Sequence, residues 1–408
     1  MLPVKQALST ILDLTTPLNP QQDSETVTLN TALGRILAAN VVSDLDFPHW
    51  DNSAMDGYAV RFADVKNCCE DQPVALEIIE EVPAGYQPQK SIESGQAARI
   101  FTGSIMPSGA DTIVIQEHTI REGNRVTILK VPEQAHAFVR HRGAFYQAGT
   151  PLLSPGIRLD AAEIAVLAAA QCNQIKVYRR PRVAIFSTGN ELVTPEQILK
   201  PGQIVDSNQY ALAAFVIKAG GIPISLGIVP DQPNLLQETI AQAITQADFV
   251  LSTGGVSVGE YDYVEQTLGE LGGKIHIESV AVQPGKPLTV ATFPNCVYFG
   301  IPGNPVSALV SCWRFVQPAF KKLSGLKGHW EPQFVRARTK HQLRAGGKRE
   351  TYLWGKLGIV EGVYQFSLAG GSHSSGNLIN LTQTNALAVV PIGRKLIDVG
   401  EEVEVMIN

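Results

Sequence analysis

Three short stretches of this chain carry the residues best suited to chemistry. An apolar run at 297–301 leads into Pro302-Gly303-Asn304-Pro305-Val306-Ser307, where an apolar pattern resumes at helical spacing. This predicts a strand, a tight turn and a helix start whose backbone N–H groups have no intrahelical partner, an arrangement that suits an anion. Pro302 and Pro305 stiffen the turn, and Gly303 lets a ligand approach closely. Upstream, an apolar run at 183–186 leads into Ser187-Thr188-Gly189-Asn190-Glu191-Leu192. Another, at 249–251, leads into Ser252-Thr253-Gly254-Gly255-Val256-Ser257-Val258-Gly259-Glu260-Tyr261-Asp262. One glycine-rich turn is ordinary in a parallel sheet. Three that pair small hydroxyls with glycine predict a shared site, because turns at the carboxyl ends of parallel strands face one crevice.

Hard oxygen donors accompany these turns: Glu191, Asp206 and Asp262. Carboxylates of this kind suit Mg²⁺, which keeps waters and bridges to substrate phosphates. Asp206 precedes Ser207-Asn208 and can equally cap a helix; both readings stand. Lys286 sits between Pro284 and Pro287. It is either a presented point charge for an oxyanion or a solvated surface lysine. Asp56-Gly57 reads first as a turn, and Phe101-Thr102-Gly103 has the same ambiguity.

The 408 residues suffice for two to four domains. With 44% hydrophobic and 17% charged residues the chain has a soluble globular composition. A net charge of −5 advertises no basic face for nucleic acid. No apolar run approaches a membrane span, and the N-terminal residues lack a signal-peptide pattern. Cytoplasmic localisation is expected. Five cysteines without a C-x-x-C pair argue against a disulfide framework. The eight histidines lack zinc-site spacing.

The elements that must position these residues follow from the apolar periodicity. Residues 1–45 look helical with a strand-like end, and 46–139 alternate short apolar runs with turn residues. A helix is expected over 160–171. Residues 176–326 alternate strand and helix, with strands starting near Arg182, Ile222, Asp248, Lys274 and Cys296. Helices are expected over 209–219, 233–246, 263–271 and 306–323. That alternation implies a parallel sheet with helices on both faces. Residues 327–408 return to short strands and predict a small β-barrel or sandwich. The expected architecture is multidomain α/β plus β. It comprises a helical and extended N-terminal linker or dimerisation domain (1–45 and 140–175) and a β-rich inserted domain (46–139). A doubly wound α/β domain (176–326) and a C-terminal β-barrel (327–408) complete it.

Taken together, these stretches resemble the molybdopterin molybdenumtransferase family, MoeA-like and related to the E domain of gephyrin. The resemblance rests on Ser-Ala-Met-Asp-Gly-Tyr-Ala at 53–59, Arg-Ile-Phe-Thr-Gly at 99–103 and Ser-Thr-Gly-Asn-Glu-Leu at 187–192. It also rests on Gly-Gly-Val-Ser-Val-Gly at 254–259 with Asp262, Pro-Gly-Lys-Pro at 284–287 and Gly-Ile-Pro-Gly-Asn-Pro-Val-Ser at 300–307. Nearly the whole chain is covered, in order. The resemblance implies an enzyme that takes adenylylated molybdopterin and molybdate, uses Mg²⁺, releases AMP and inserts molybdenum into the dithiolene. It implies a homodimer, with the adenylyltransferase of the preceding step as an expected partner.

Carried over residue by residue, the resemblance makes Asp262, Glu191, Asp56 and Thr102 catalytic. Asp206 and Asp262 would bind metal. Ser257, Gly254, Gly255, Lys286, Pro302, Gly303, Asn304, Pro305 and Ser375 would contact substrate. Asp56 and Thr102 would reach across the dimer. Three departures stand out: Gln283 in place of a lysine, Ala144-Phe145 in place of an acidic pair, and Trp354 in place of the second arginine of an Arg-x-x-aromatic-x-Arg motif begun by Arg349 and Tyr352. Arg344, Lys348 and Lys356 are candidates to compensate. The departures keep two alternatives in view: a non-catalytic scaffold of the same fold, and a molybdopterin adenylyltransferase.

Overall fold

Continuous apolar strands build the centre of the chain. A computed structural model describes residues 1–255 and 263–408. Its central sheet has six strands: β1 (Arg182–Thr188), β2 (Ile222–Val229), β3 (Phe249–Thr253), β4 (Lys274–Ser279), β5 (Pro287–Phe293) and β6 (Cys296–Ile301). Their order across the sheet is β2-β1-β3-β6-β5-β4. β3 and β6 are buried along their whole length, as expected when helices cover both faces. Val183 and Ile185 of β1 face one core, and Ala184 and Phe186 face the other, the two-residue period of a strand.

β2, β1, β3 and β6 run parallel. β5 runs antiparallel to both β6 and β4, so the expected all-parallel sheet is mixed. The reason is local. Only Pro294 and Asn295 separate β5 from β6, and a two-residue connection can join only antiparallel strands. The sequence reading also missed β5 as a strand.

The expected helices form, with one change. α1 (Asn208–Ala219) ends at Gly220, whose φ of 96° is left-handed, a common helix stop. α2 (Pro233–Gln246) opens on proline, whose missing N–H costs nothing there. α3 is Val264–Glu270. The single helix expected over 306–323 is instead α4 (Pro305–Ser311), a π-helical turn at Cys312–Val316, and α5 (Gln317–Leu323).

At the N-terminus only Val4–Leu14 is α-helical; Val4, Ala7, Leu8 and Ile11 line its buried face. Ser24–Thr28, read as helical from sequence, is a strand paired antiparallel with Gln174–Tyr178. Its β-branched run Thr26-Val27-Thr28 favours that state. A further helix spans Ala161–Ala169.

Beyond α5, five strands close on themselves: β7 (Phe334–Thr339), β8 (Glu350–Val360), β9 (Val363–Leu368), β10 (Ala386–Val390) and β11 (Glu402–Ile407). The ring runs β8-β9-β7-β11-β10 and back to β8, which leaves no open edge. Of the expected barrel and sandwich, the barrel is what forms.

The chain divides into two units. One holds residues 1–39, 155–161 and 174–408, and so contains the sheet and the barrel. The other holds residues 40–154 and 162–173. Its six-stranded sheet runs Thr112–Ile115, Gly57–Val60, Gln96–Ile100, Val74–Val82, Arg125–Ile128 and Thr119–Glu122. No helix among the described residues is long and apolar enough to cross a membrane.

Candidate active site

The turns after β1, β3 and β6 open into one cleft of about 960 Å³ within the first unit. Glu191 and Asp206 border it, with Gly254 and Gly255, Lys286, and Pro302, Gly303, Asn304 and Pro305. Ser375 joins them from the loop between β9 and β10. Ten residues expected from sequence therefore meet. Ser257 and Asp262, also expected here, lie outside the described residues.

Backbone geometry explains the glycines. Gly254 has φ +86°, and a Cβ there would lie 2.4 Å from Thr188 O. The turns after β1 and β3 thus touch through bare backbone, and no larger residue fits. Gly303 packs in ordinary contact with the same turn: its would-be Cβ lies 3.5 Å from Gly254 Cα. The turns are also tied by side chains. Asn208 Nδ2 donates to Gly303 O at 2.7 Å, which fixes the start of α1 to the Pro-Gly turn. Ser187 and Thr253 hydroxyls lie 3.0 Å apart, and Tyr298 OH donates to Ser252 Oγ at 2.6 Å.

Asp206 is 3% exposed and caps α1. Its Oδ1 accepts from Asn208 N at 3.0 Å and Gln209 N at 3.2 Å. Among the described residues its Oδ2 accepts only from the Gln209 amide, at 3.3 Å. A carboxylate has about four lone-pair positions, so capping leaves Oδ2 able to meet a cation. Glu191 is exposed at the cleft. Thr188 Oγ1 and Asn208 Oδ1 are buried on residues that line the cleft and, among the described residues, accept from no partner. These oxygens are the hard donors that Mg²⁺ takes, and that ion needs only one or two carboxylates when phosphates supply the rest. Among the described residues no three His, Cys, Asp or Glu side chains converge as a self-sufficient metal site.

Lys286 is exposed at the rim. Its loop is pinned at both sides. Val280 N donates to Lys286 O at 3.0 Å, and Val282-Gln283 adds a short parallel strand to β8 at Glu350-Thr351. Gly285, at φ +104°, packs where a Cβ would sit 2.9 Å from Ser311 Oγ.

The barrel supplies a wall that sequence reasoning noted only as departures. On β8, Leu353 packs into the barrel core while Tyr352 and Trp354 face the α/β core. All three line the cleft with Arg349, whose Nη1 donates to Val282 O at 3.3 Å. Tyr352 OH accepts from Arg314 Nε at 2.8 Å and donates to Glu350 Oε1 at 2.5 Å; burial raises its pKa above the ordinary tyrosine range. Trp354, at the position of the missing arginine, is 1% exposed and stacks on His373 with ring centroids 4.5 Å apart. Arg344, Lys348 and Lys356 do not line the cleft. Thr188, Asn208 and His373 do; Thr188 lies within the Ser-Thr-Gly-Asn-Glu-Leu stretch at 187–192, and the signal for Asn208 and His373 was adjacency to Asp206 and Ser375.

Asp56 and Thr102 belong to the other unit, where they meet each other. Thr102 donates both its N–H and its hydroxyl to Asp56 Oδ1, each at 2.7 Å. The backbone N–H and then the hydroxyl hold the Asp56 carboxyl below its usual range.

Comparison with known proteins agrees with this organisation. The MoeA N-terminal region (domain I and II) matches residues 2–170, a probable molybdopterin binding domain matches 184–322, and the MoeA C-terminal region (domain IV) matches 336–407. A molybdopterin molybdenumtransferase of Nostoc sp. is 61% identical over 99% of this chain and 93% of its own length. The Haemophilus influenzae protein of that name is 33% identical over 99% of this chain and 98% of its own. The crystal structure of a molybdopterin biosynthesis MoeA protein from Pyrococcus horikoshii superposes with a TM-score of 0.82 at 31% identity, covering 100% of this chain and 99% of that one. With its three turns, lysine loop and barrel wall in one cleft, this chain belongs to the molybdopterin molybdenumtransferase family of enzymes.

Proposed function

We propose that this protein inserts molybdenum from molybdate into adenylylated molybdopterin and releases AMP, in molybdenum cofactor biosynthesis. The observation that carries this reading is the convergence of three anion-suited turns, Lys286 and two carboxylates on one cleft. The dithiolene sulfurs arrive with the substrate, so the chemistry asks for no cysteine cluster. The difficulty is bringing two anions together. Repulsion of a unit-charge pair at 4 Å is about 4 kcal/mol at an effective dielectric near 20. The turn amides at Gly303 and Asn304 and the Lys286 ammonium offset it. Glu191 and Asp206, with Asp262, would hold Mg²⁺, which supplies charge neutralisation at the phosphates when bound. Ser375 and its neighbouring hydroxyls would contact the oxyanion. Ser257 would do the same, as the family resemblance implies.

A homodimer is part of this reading. Asp56 and Thr102 would then act on a partner's cleft, in the cytoplasm, downstream of the adenylyltransferase. Incubation with adenylylated molybdopterin, Mg²⁺ and molybdate should release AMP and reconstitute an apo-molybdoenzyme. Neither product appearing would count against the proposal. Trp354 in place of an arginine favours one alternative, a scaffold that binds the pterin without turnover; tight binding without AMP would reveal it.

A further inference from the structure

The helices that begin at the cleft end at a second cavity. α1 starts with Asn208 at the cleft and finishes with Lys218 and Ala219 at a groove of about 390 Å³. The run that opens with Pro305 at the cleft reaches the same groove through Trp313, Phe320 and Lys321. Arg158, Gln317, Leu326 and Asn408 complete it. A smaller pocket of about 210 Å³ shares Arg158, Lys218 and Phe320 and adds Arg180. α1 alone, at 12 residues, separates its two ends by about 18 Å at 1.5 Å per residue.

The charge pattern of this groove runs against the molecule. The chain carries a net −5, yet neither cavity is lined by Asp or Glu. Among the described residues, Arg158, Arg180, Lys218 and Lys321 form no ion pair. Burial, and then the nearby Arg158 charge, hold Lys321 below the ordinary lysine pKa. Lys218 and Lys321 do sit in last helical turns, where the dipole favours cations. That accounts for neither arginine, since both lie outside the helices, nor for the apolar wall between the charges. Phe215, Trp313 and Phe320 form that wall.

We propose that this groove binds a small organic phosphate of the nucleotide class, with its phosphates on Arg158, Lys218 and Lys321 and its ring against the wall of Phe215, Trp313 and Phe320. Guanidinium and ammonium groups without partners are what a phosphate group satisfies. The volume falls in the range of small-ligand sites. The groove is separate from the cleft of the proposed reaction and does not depend on that reading.

Calorimetric titration of the full chain with ADP tests this, using substitutions that separate the two cavities. Binding at the groove should survive Lys286→Ala, weaken as salt rises, and fall on the order of tenfold in Arg158→Gln and in Lys218→Gln. Both substituted residues are exposed, so folding should be retained, and Lys321→Met provides a third arm. AMP release by Arg158→Gln without added ADP should match the unsubstituted enzyme. ADP binding that is abolished by Lys286→Ala and untouched by Arg158→Gln and Lys218→Gln would overturn the proposal. So would inorganic triphosphate binding as tightly as ADP, because the aromatic wall would then recognise nothing.

Discussion

Asp206 shows how one carboxylate can serve structure and chemistry together. Its Oδ1 caps α1, while among the described residues Oδ2 meets only the Gln209 amide. Asparagine caps about as well as aspartate, and alanine costs about 0.5–2 kcal/mol. Asp206→Ala should therefore lower the melting temperature, and Asp206→Asn should not. Both should reduce AMP release, because both remove a hard anionic donor. Full turnover in Asp206→Asn would leave Asp206 as a cap alone. Asp56 offers a second residue-scale test. Its carboxyl pKa is depressed in the folded chain by the Thr102 N–H and hydroxyl. A depressed carboxylate contributes stability above its unfolded pKa and loses it as pH falls through the folded value. Thr102→Val keeps the N–H and deletes the hydroxyl. The Asp56 resonance should then titrate at higher pH, still below the ordinary value, and an unmoved titration would exclude the hydroxyl's part.

The turns after β1, β3 and β6 are set by backbone contacts that side chains would block. Gly254→Ala places a Cβ 2.4 Å from Thr188 O at φ +86°. Strain of about 1–3 kcal/mol for a non-glycine residue in that region adds to the clash, so chemical denaturation should show a clear stability loss together with loss of AMP release. A variant with wild-type stability and activity would mean the two turns separate freely. Asn208→Ala removes the 2.7 Å bond to Gly303 O. We expect about 1 kcal/mol lost and weaker substrate binding, measured as a raised KM with the melting curve as control. The β5–β6 hairpin belongs to this scale too. Its two-residue link dictates an antiparallel strand, and β4 also reaches β5 without a helix, whereas the connections from β1 through β2 and β3 to β4 pass through helices.

For the whole molecule, burial sorts the cysteines. All five are free. Desolvation pushes Cys296 up to about 12 and raises Cys312 further, so neither forms the reactive thiolate while folded. Cys69 is exposed. Alkylation of the native protein should modify Cys69 first and reach Cys296 and Cys312 only after unfolding; native labelling of Cys312 would contradict the packing of the core around α4. The Arg179 guanidinium links distant segments, bonding both Asp23 and Asp248. Asp248 in turn accepts from Arg182 N at 2.7 Å, which anchors the start of β1.

The apolar runs, the proline and glycine positions and the order of motifs were enough to establish a βαβ domain, a small β domain after it and a clustered site. Each is a local pattern whose period or turn chemistry permits few alternatives. Local pattern could not reveal pairings between distant segments. Ser24–Thr28 became a strand because Gln174–Tyr178, 150 residues away in register at Thr26↔Lys176, offered an edge. The mixed sheet, the π-helical turn within the last helix, and the barrel wall of Tyr352 and Trp354 against the cleft were likewise decided by packing. The same holds for the double use of Asp206 and for the cations gathered at the far ends of two helices. Sequence supplies the donors and the charges, and only the folded chain decides which of them share a volume of space.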